Sequence, residues 1–252
     1  MVSGPEGALL LEPSKVISED PRIEEVEWAG HRLQVRVRQL TPVVAPEPVP
    51  EGGERYEEAG LREYPRAVVV PSAAEGAGEA GEAKMIGDRI TVAGSPEWRT
   101  VGEVFHGFLA ADNGDRSPIE RREMARGLIE RWGLAEALGS EDVVAAADHM
   151  RVWIEATWPD ARSQREWPLL HRLDSGSLVR GSADLVLELD KTFVLIDHKT
   201  FPGGAEQARS AAAGYGGQLR MYAEAIEAAT GKKLEGAFIH LPVSGMVVEV
   251  IW

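Results

Sequence analysis

Residues 178–200 constrain the chain more than any other stretch. A mainly apolar run over 185–189, interrupted only by Glu188, stops at Asp190-Lys191, and a second follows over 192–196, apolar after Thr192. Two short apolar runs around a two-residue polar break predict an antiparallel hairpin. Such a hairpin sets Asp184, before the first run, close to Asp197, after the second. Side chains alternate along a strand, so Asp197 and Lys199 share a face and His198 takes the other. Two carboxylates and an ammonium at one end of a sheet suit a hard, oxygen-preferring cation such as Mg²⁺ with a water to activate. Taken alone, Asp-x-Lys at a strand end describes a surface ion pair of little energetic weight equally well. Asp184 alone describes a turn former.

The whole chain narrows the choice. Its 252 residues suffice for one sizeable core, or one and a half. No apolar run is long enough to cross a bilayer, so no membrane partner is expected. The opening MVSGPEGALLLEPSK lacks the basic start of a secretory signal. The absence of cysteine removes a disulfide scaffold, a thiolate zinc site and a cysteine-held iron–sulfur cluster. A cytoplasmic protein fits these features best. The net charge of −14 argues against a protein that coats DNA, because phosphate contacts need Lys and Arg. Residues 160–252 are nearly balanced, with 12 acids against 10 bases, so any grip on DNA must come from a local patch or a partner.

Taken in order, residues 23–28 and 33–40 predict a β hairpin turning at Ala29-Gly30. Residues 41–65 are rich in Pro, Glu and Gly and read as a linker. Residues 66–71 form a short apolar run. Residues 72–83, SAAEGAGEAGEA, are low in complexity and predict a disordered, easily proteolysed segment. A helix is expected over 101–111, capped by Thr100, with Val104, Phe105, Phe108 and Leu109 buried and His106 within it. Ser117-Pro118 opens a second helix to about Leu138, whose apolar face is Ile119, Leu128, Ile129 and Trp132. Gly139 ends it, and Ser140 caps a third, over 141–157. Strands are expected at 166–171, 178–189 and 192–199. A helical stretch follows over 205–230, broken near Gly214, Gly216 and Gly217 and stopped by Gly231. Gln218 and Tyr222, four apart, share a face of it. Strands at 237–241 and 246–252 close the chain.

The set reads Gly102-x-x-x-His106, Glu166-x-Pro168, Gly181-x-x-Asp184, Asp197-x-Lys199-Thr200 and Gln218-x-x-x-Tyr222. In this order it resembles the RecB-type nuclease domain of the PD-(D/E)XK superfamily, the module that ends bacterial helicase–nuclease chains processing broken DNA. The resemblance covers roughly residues 99–252. It implies an α/β, restriction-endonuclease-like core: a central mixed β-sheet flanked by helices, with an N-terminal helical part. Residues 1–98 are then an extension, or the tail of a helicase, since Pro71-Ser72 resembles the segment leading into such a nuclease. No Gly-x-x-x-x-Gly-Lys-Ser/Thr phosphate loop is present. Two positions depart from the family pattern: His198 where an aromatic is usual, and Ala183 where a larger apolar residue is usual.

The resemblance implies Mg²⁺ or Mn²⁺ held by Asp184, Asp197 and the main-chain carbonyl of His198, with His106 as a nitrogen ligand. Glu166 is the candidate further carboxylate for a second metal, or only supports the first. Lys199 orients the attacking water, and Gln218 and Tyr222 orient the site or contact the strand. The implied activity is a DNA nuclease, an exonuclease acting on single-stranded ends in repair beside a helicase domain or subunit, without an iron–sulfur cluster. Three alternatives stay open at this point. One is a nuclease fold without chemistry that binds DNA or scaffolds a repair complex. Another is a different metal hydrolase, and the third is an α/β protein with coincidental motifs.

Overall fold

The computed structural model describes residues 67–252 except Glu75, together with four short strands nearer the N-terminus. The chain divides into two compact units, Met1–Arg62 and Glu63–Trp252. In the first unit β1 (Val2–Gly4) pairs antiparallel with β2 (Gly7–Leu9), and β3 (Ile23–Trp28) with β4 (His31–Arg36). The second pair is the expected hairpin, with Trp28 opposite His31. The expected linker over 41–65 lies outside the described residues.

The second unit is built from β5 (Val68–Val69), β6 (Glu79–Met85), α1 (Trp98–Ala111), α2 (Pro118–Arg131) and α3 (Ser140–Thr157). It continues with β7 (Arg162–Arg172), β8 (Leu178–Glu188), β9 (Thr192–His198), α4 (Ala205–Ala213), α5 (Gly216–Thr230), β10 (Lys233–Leu241) and β11 (Met246–Ile251). The strands form one seven-stranded sheet in the order β5-β8-β9-β10-β11-β6, with β7 also paired to β8. The β8–β9 pair is antiparallel, as the Asp190-Lys191 break predicts. β9 and β10 are parallel, which requires a crossover, and α4 and α5 provide it.

Every residue of β9 from Phe193 to His198 is buried, so both of its faces are covered and its sequence is continuously apolar up to Asp197. Val194 and Ile196 pack with Phe105 and Phe108 of α1 and Val143 of α3. Phe193 and Leu195 pack with Leu219 and Ile226 of α5 and Ile239 of β10. The alternation continues past the apolar run. Asp197 therefore emerges on the α5 side, and His198 on the α1 side.

Four local expectations are corrected. The first helix starts at Trp98 without a side-chain cap, so Thr100 lies inside it. The second ends at Arg131, well before Leu138, because Gly133 takes a left-handed φ of 69°. Ile119 and Trp132, expected on its buried face, are exposed; that helix instead buries Arg121, Ala125 and Ile129. The third helix begins after Gly139 and includes Ser140. The expected break is found, between the end of α4 at Ala213 and the start of α5 at Gly216.

The larger correction concerns residues 72–83. Residues 79–85 are not disordered but form β6, antiparallel to β11, with Val248 opposite Ala83. The sheet thus takes β5 and β6 from the N-terminal side of residue 99. Small residues serve close packing here. A Cβ on Gly216 would stand 2.3 Å from the backbone nitrogen of Gly78. Gly78 N–H donates to the Ala213 carbonyl and Gly217 N–H to the Gly76 carbonyl, each at 2.8 Å. The segment is threaded against the corner between α4 and α5, where larger side chains would not fit.

Two glycine substitutions separate these roles. Gly216→Ala should cost about 1–3 kcal/mol, because the colliding atoms are backbone. Gly127→Ala, in the interior of α2 with open space around it, should add about 0.5–1 kcal/mol through helix propensity. Urea titration of both variants measures the two signs, and equal effects would refute the packing account.

Candidate metal centre

The sheet splits where the functional residues gather. β5 pairs with the start of β8, at Leu178 and Val179, while β9 pairs with its end, from Leu185 to Glu188. Between these ladders, residues 180–183 have only β7 as a partner among the described residues. Asp184 lies at the split, and its Oδ2 accepts a 2.7 Å hydrogen bond from the His198 backbone N–H. The carboxylate does there what a neighbouring strand carbonyl would otherwise do.

His106 reaches the same place from α1, with Nδ1 3.5 Å from Asp184 Oδ2. The close approach of α1 depends on Gly102, whose missing Cβ would sit 3.0 Å from Thr200 Oγ1. β7 contributes Glu166, which has a positive φ of 47° between Arg165 and Trp167, the residues paired with Leu185 and Ala183. Ser182 Oγ donates to Glu166 Oε2 at 3.0 Å. Ligand atoms of His106, Glu166 and Asp184 all lie within 4.8 Å of one another.

Asp197 stands behind this group and is 1% exposed. Gln218 Nε2, from the first turn of α5, donates to Asp197 Oδ1 at 2.9 Å and to the Tyr222 hydroxyl at 3.1 Å. Lys199 Nζ lies 2.6 Å from Asp197 Oδ2, an ion pair off the hydrogen-bond direction, so that buried oxygen has no aligned donor. The same ammonium sits 4.9 Å from the Tyr215 ring centroid, in cation–π range. The sequence motifs thus meet as two linked sets, His106–Glu166–Asp184 and Lys199–Asp197–Gln218–Tyr222. Both lie beside an open cleft of about 590 Å³, lined in part by His106, Glu166, Asp184 and Lys199.

Burial, and then the Asp197 charge, push the Asp184 carboxyl up to about 7, against the opposing pull of His106 and the His198 N–H. Burial also raises Asp197, with Lys199 opposing. Asp184, an acid held out of water, makes with the His106 imidazole and the Glu166 carboxylate a compact ligand group that fits a divalent cation, and Asp197 lies behind it, paired with Lys199.

With that geometry in place, a family comparison becomes decisive: the family model described as PD-(D/E)XK nuclease superfamily matches residues 86–249. The chain belongs to the PD-(D/E)XK nuclease superfamily. Its mixed seven-stranded sheet with flanking helices is the restriction-endonuclease-like α/β fold. Most PD-(D/E)XK members are metal-dependent nucleases, so membership points to nuclease chemistry on DNA. A search of curated proteins finds no match. No helix among the described residues is long and apolar enough to cross a membrane.

Several PD-(D/E)XK cleft residues escaped the sequence reading. Trp98, Arg99 and Tyr215 line the cleft. Trp98 precedes Gly102 and His106 at the same four-residue spacing, a signal hidden by starting the helix at 101. Tyr215 lies three residues before Gln218. His240 also appears, beside His198 on the parallel strand, with their Nδ1 atoms 3.1 Å apart. Burial holds both imidazoles well below their usual range, His240 at about 3, so both are neutral and one donates to the other.

Two predictions follow from this geometry. The Asp184 carboxyl moves from an ordinary 3.8 to about 7 on folding. Across that window the folded protein binds the proton more tightly than the unfolded chain, so metal-free stability falls as pH rises. Melting in EDTA should show a lower Tm at pH 8 than at pH 5, Asp184→Asn should flatten the difference, and Mg²⁺ or Mn²⁺ should raise the Tm at pH 8. An unchanged slope in Asp184→Asn would assign the effect elsewhere. Glu166→Gly removes a positive-φ cost of about 1 kcal/mol and one exposed hydrogen bond, so it should raise the Tm while weakening Mn²⁺ binding in calorimetry. A lower Tm would show that the positive φ at Glu166 stores no strain.

Proposed function

We propose that the chain is a Mg²⁺- or Mn²⁺-dependent deoxyribonuclease of the RecB type, an exonuclease hydrolysing phosphodiester bonds at single-stranded DNA ends. The carrying observation is the run of contacts Lys199–Asp197–Gln218–Tyr222 beside the His106–Glu166–Asp184 group. Four motifs of the RecB resemblance contribute side chains to one cleft, and the fifth, Gln218 with Tyr222, is joined to them from behind through Asp197. The order of those motifs also supports a role in DNA end processing and repair with a helicase domain or subunit, in the cytoplasm.

His106, Asp184, Asp197 and the His198 main-chain carbonyl would hold the cation, with Glu166 as a further carboxylate. An imidazole ligand favours Mn²⁺ over Mg²⁺. A bound divalent cation supplies Lewis-acid polarisation of the phosphate and a more acidic water. Lys199, fixed between Asp197 and the Tyr215 ring, orients that water and offsets negative charge growing on the phosphate. Gln218 fixes the Asp197 carboxylate by holding Oδ1, leaving Oδ2 to the cation and Lys199. Burial pushes the Tyr222 hydroxyl up to about 12, so it stays protonated, and by accepting from Gln218 it helps to orient the site.

End-labelled linear single-stranded DNA tests the proposal. Cleavage should require Mg²⁺ or Mn²⁺ and fall by about 100-fold or more in both Lys199→Ala and Asp197→Ala. The melting curve of each variant checks folding. Absence of cleavage by a folded chain that binds Mn²⁺ would favour a DNA-binding or scaffolding module of a repair complex, the alternative that the −14 net charge supports.

A further inference from the structure

We infer that Trp98 and Trp132, with Arg99 between them, form a track on which the unpaired bases of the incoming strand stack. The inference rests on the nuclease reading and adds to it the residues that choose a single strand over a duplex. Trp98 opens α1 and lines the metal cleft, with its side chain 39% exposed. Trp132 closes α2, is 40% exposed, and lines an adjoining depression of about 290 Å³. Arg99 and Glu103 line both hollows, so the two surfaces are continuous.

The two half-exposed indoles offer flat apolar faces on adjoining hollows, and an unpaired base is a partner that fits such a face. The Tyr215 ring is already occupied by the Lys199 ammonium, so Trp98 is the cleft aromatic with a free face. Eight residues of helix separate Trp98 from His106, a rise of about 12 Å. That distance accommodates about three stacked nucleotides between the first indole and the cation-binding group. Glu103 repels phosphate, so the backbone passes along Arg99 and Lys199 while the bases turn towards the indoles. In a duplex the base faces are already stacked on one another and cannot use the track.

The test is binding, not cleavage. Fluorescence anisotropy compares a labelled oligothymidylate, an abasic strand of equal length and a duplex, all on the Lys199→Ala protein with Mg²⁺. Trp98→Ala and Trp132→Ala, each added to that background, should weaken oligothymidylate binding about 5- to 100-fold. The abasic strand should be bound within about twofold of the parent, and Trp98→Phe should restore most of the loss. Trp132→Ala carries the test alone if Trp98→Ala melts early. Equal losses on the abasic strand, no loss on either strand, tighter binding of the duplex or no binding of any DNA would each overturn the track. Cleavage by the unmodified chain without base-dependent binding overturns the track alone. Base-dependent binding without cleavage in either metal overturns the nuclease reading and leaves the track standing.

Discussion

The burial of one carboxylate, Asp197, at the end of the central strand is the constraint around which this fold is arranged. A charge held out of water is costly unless paired and hydrogen-bonded. Lys199 supplies the charge and Gln218 the hydrogen bond. Both depend on the fold in a specific way. Lys199 shares the face of Asp197 because they are two residues apart on one strand. Gln218 arrives only because the chain breaks between α4 and α5 and redirects the second helix over that strand end. The break is a corner of glycines, and the Gly76–Gly78 segment closes over it.

The second requirement is an opening in the sheet. A continuous ladder along β8 would pair Asp184 with a neighbouring backbone and close the cleft. The sheet instead changes partners between Val179 and Leu185, and the Asp184 carboxylate satisfies the His198 N–H itself. His106 and Glu166 then approach from two other elements, one past a glycine and the other from a strand position of positive φ. The overall acidity of the chain does not conflict with a site for a metal and a phosphate chain. Acids concentrated at a cation site are neutralised locally, while Arg99 and Lys199 supply the positive edge of the cleft.

Much of this was legible in the sequence because the controlling patterns are short-range. The hairpin at Asp190-Lys191, the helix opened by Ser117-Pro118, the stop at Gly231 and the pairing of Gln218 with Tyr222 follow from periodicity and caps over a few residues. Failures occurred where a residue type has two physical meanings. Gly and Ala in 72–83 signal both low cohesion and the ability to pack closely, and only the neighbour across the sheet distinguishes them. Trp132 and Ile119 are apolar by type, yet they stand at the two ends of α2, where both meet solvent.

The sequence by itself determined which groups could do chemistry and on which face of their own element each lies, because that follows from fixed periods of two and 3.6 residues. It determined that Asp197 and Lys199 share a face and that His198 takes the other. Only the tertiary structure decided that His106, Glu166 and Asp184 converge, that Asp197 is sealed from water, and that Trp98, Arg99 and Tyr215 border the cleft. Those facts depend on contacts between residues tens of positions apart. No local period encodes them; they are set by how two apolar layers close on either side of one buried strand.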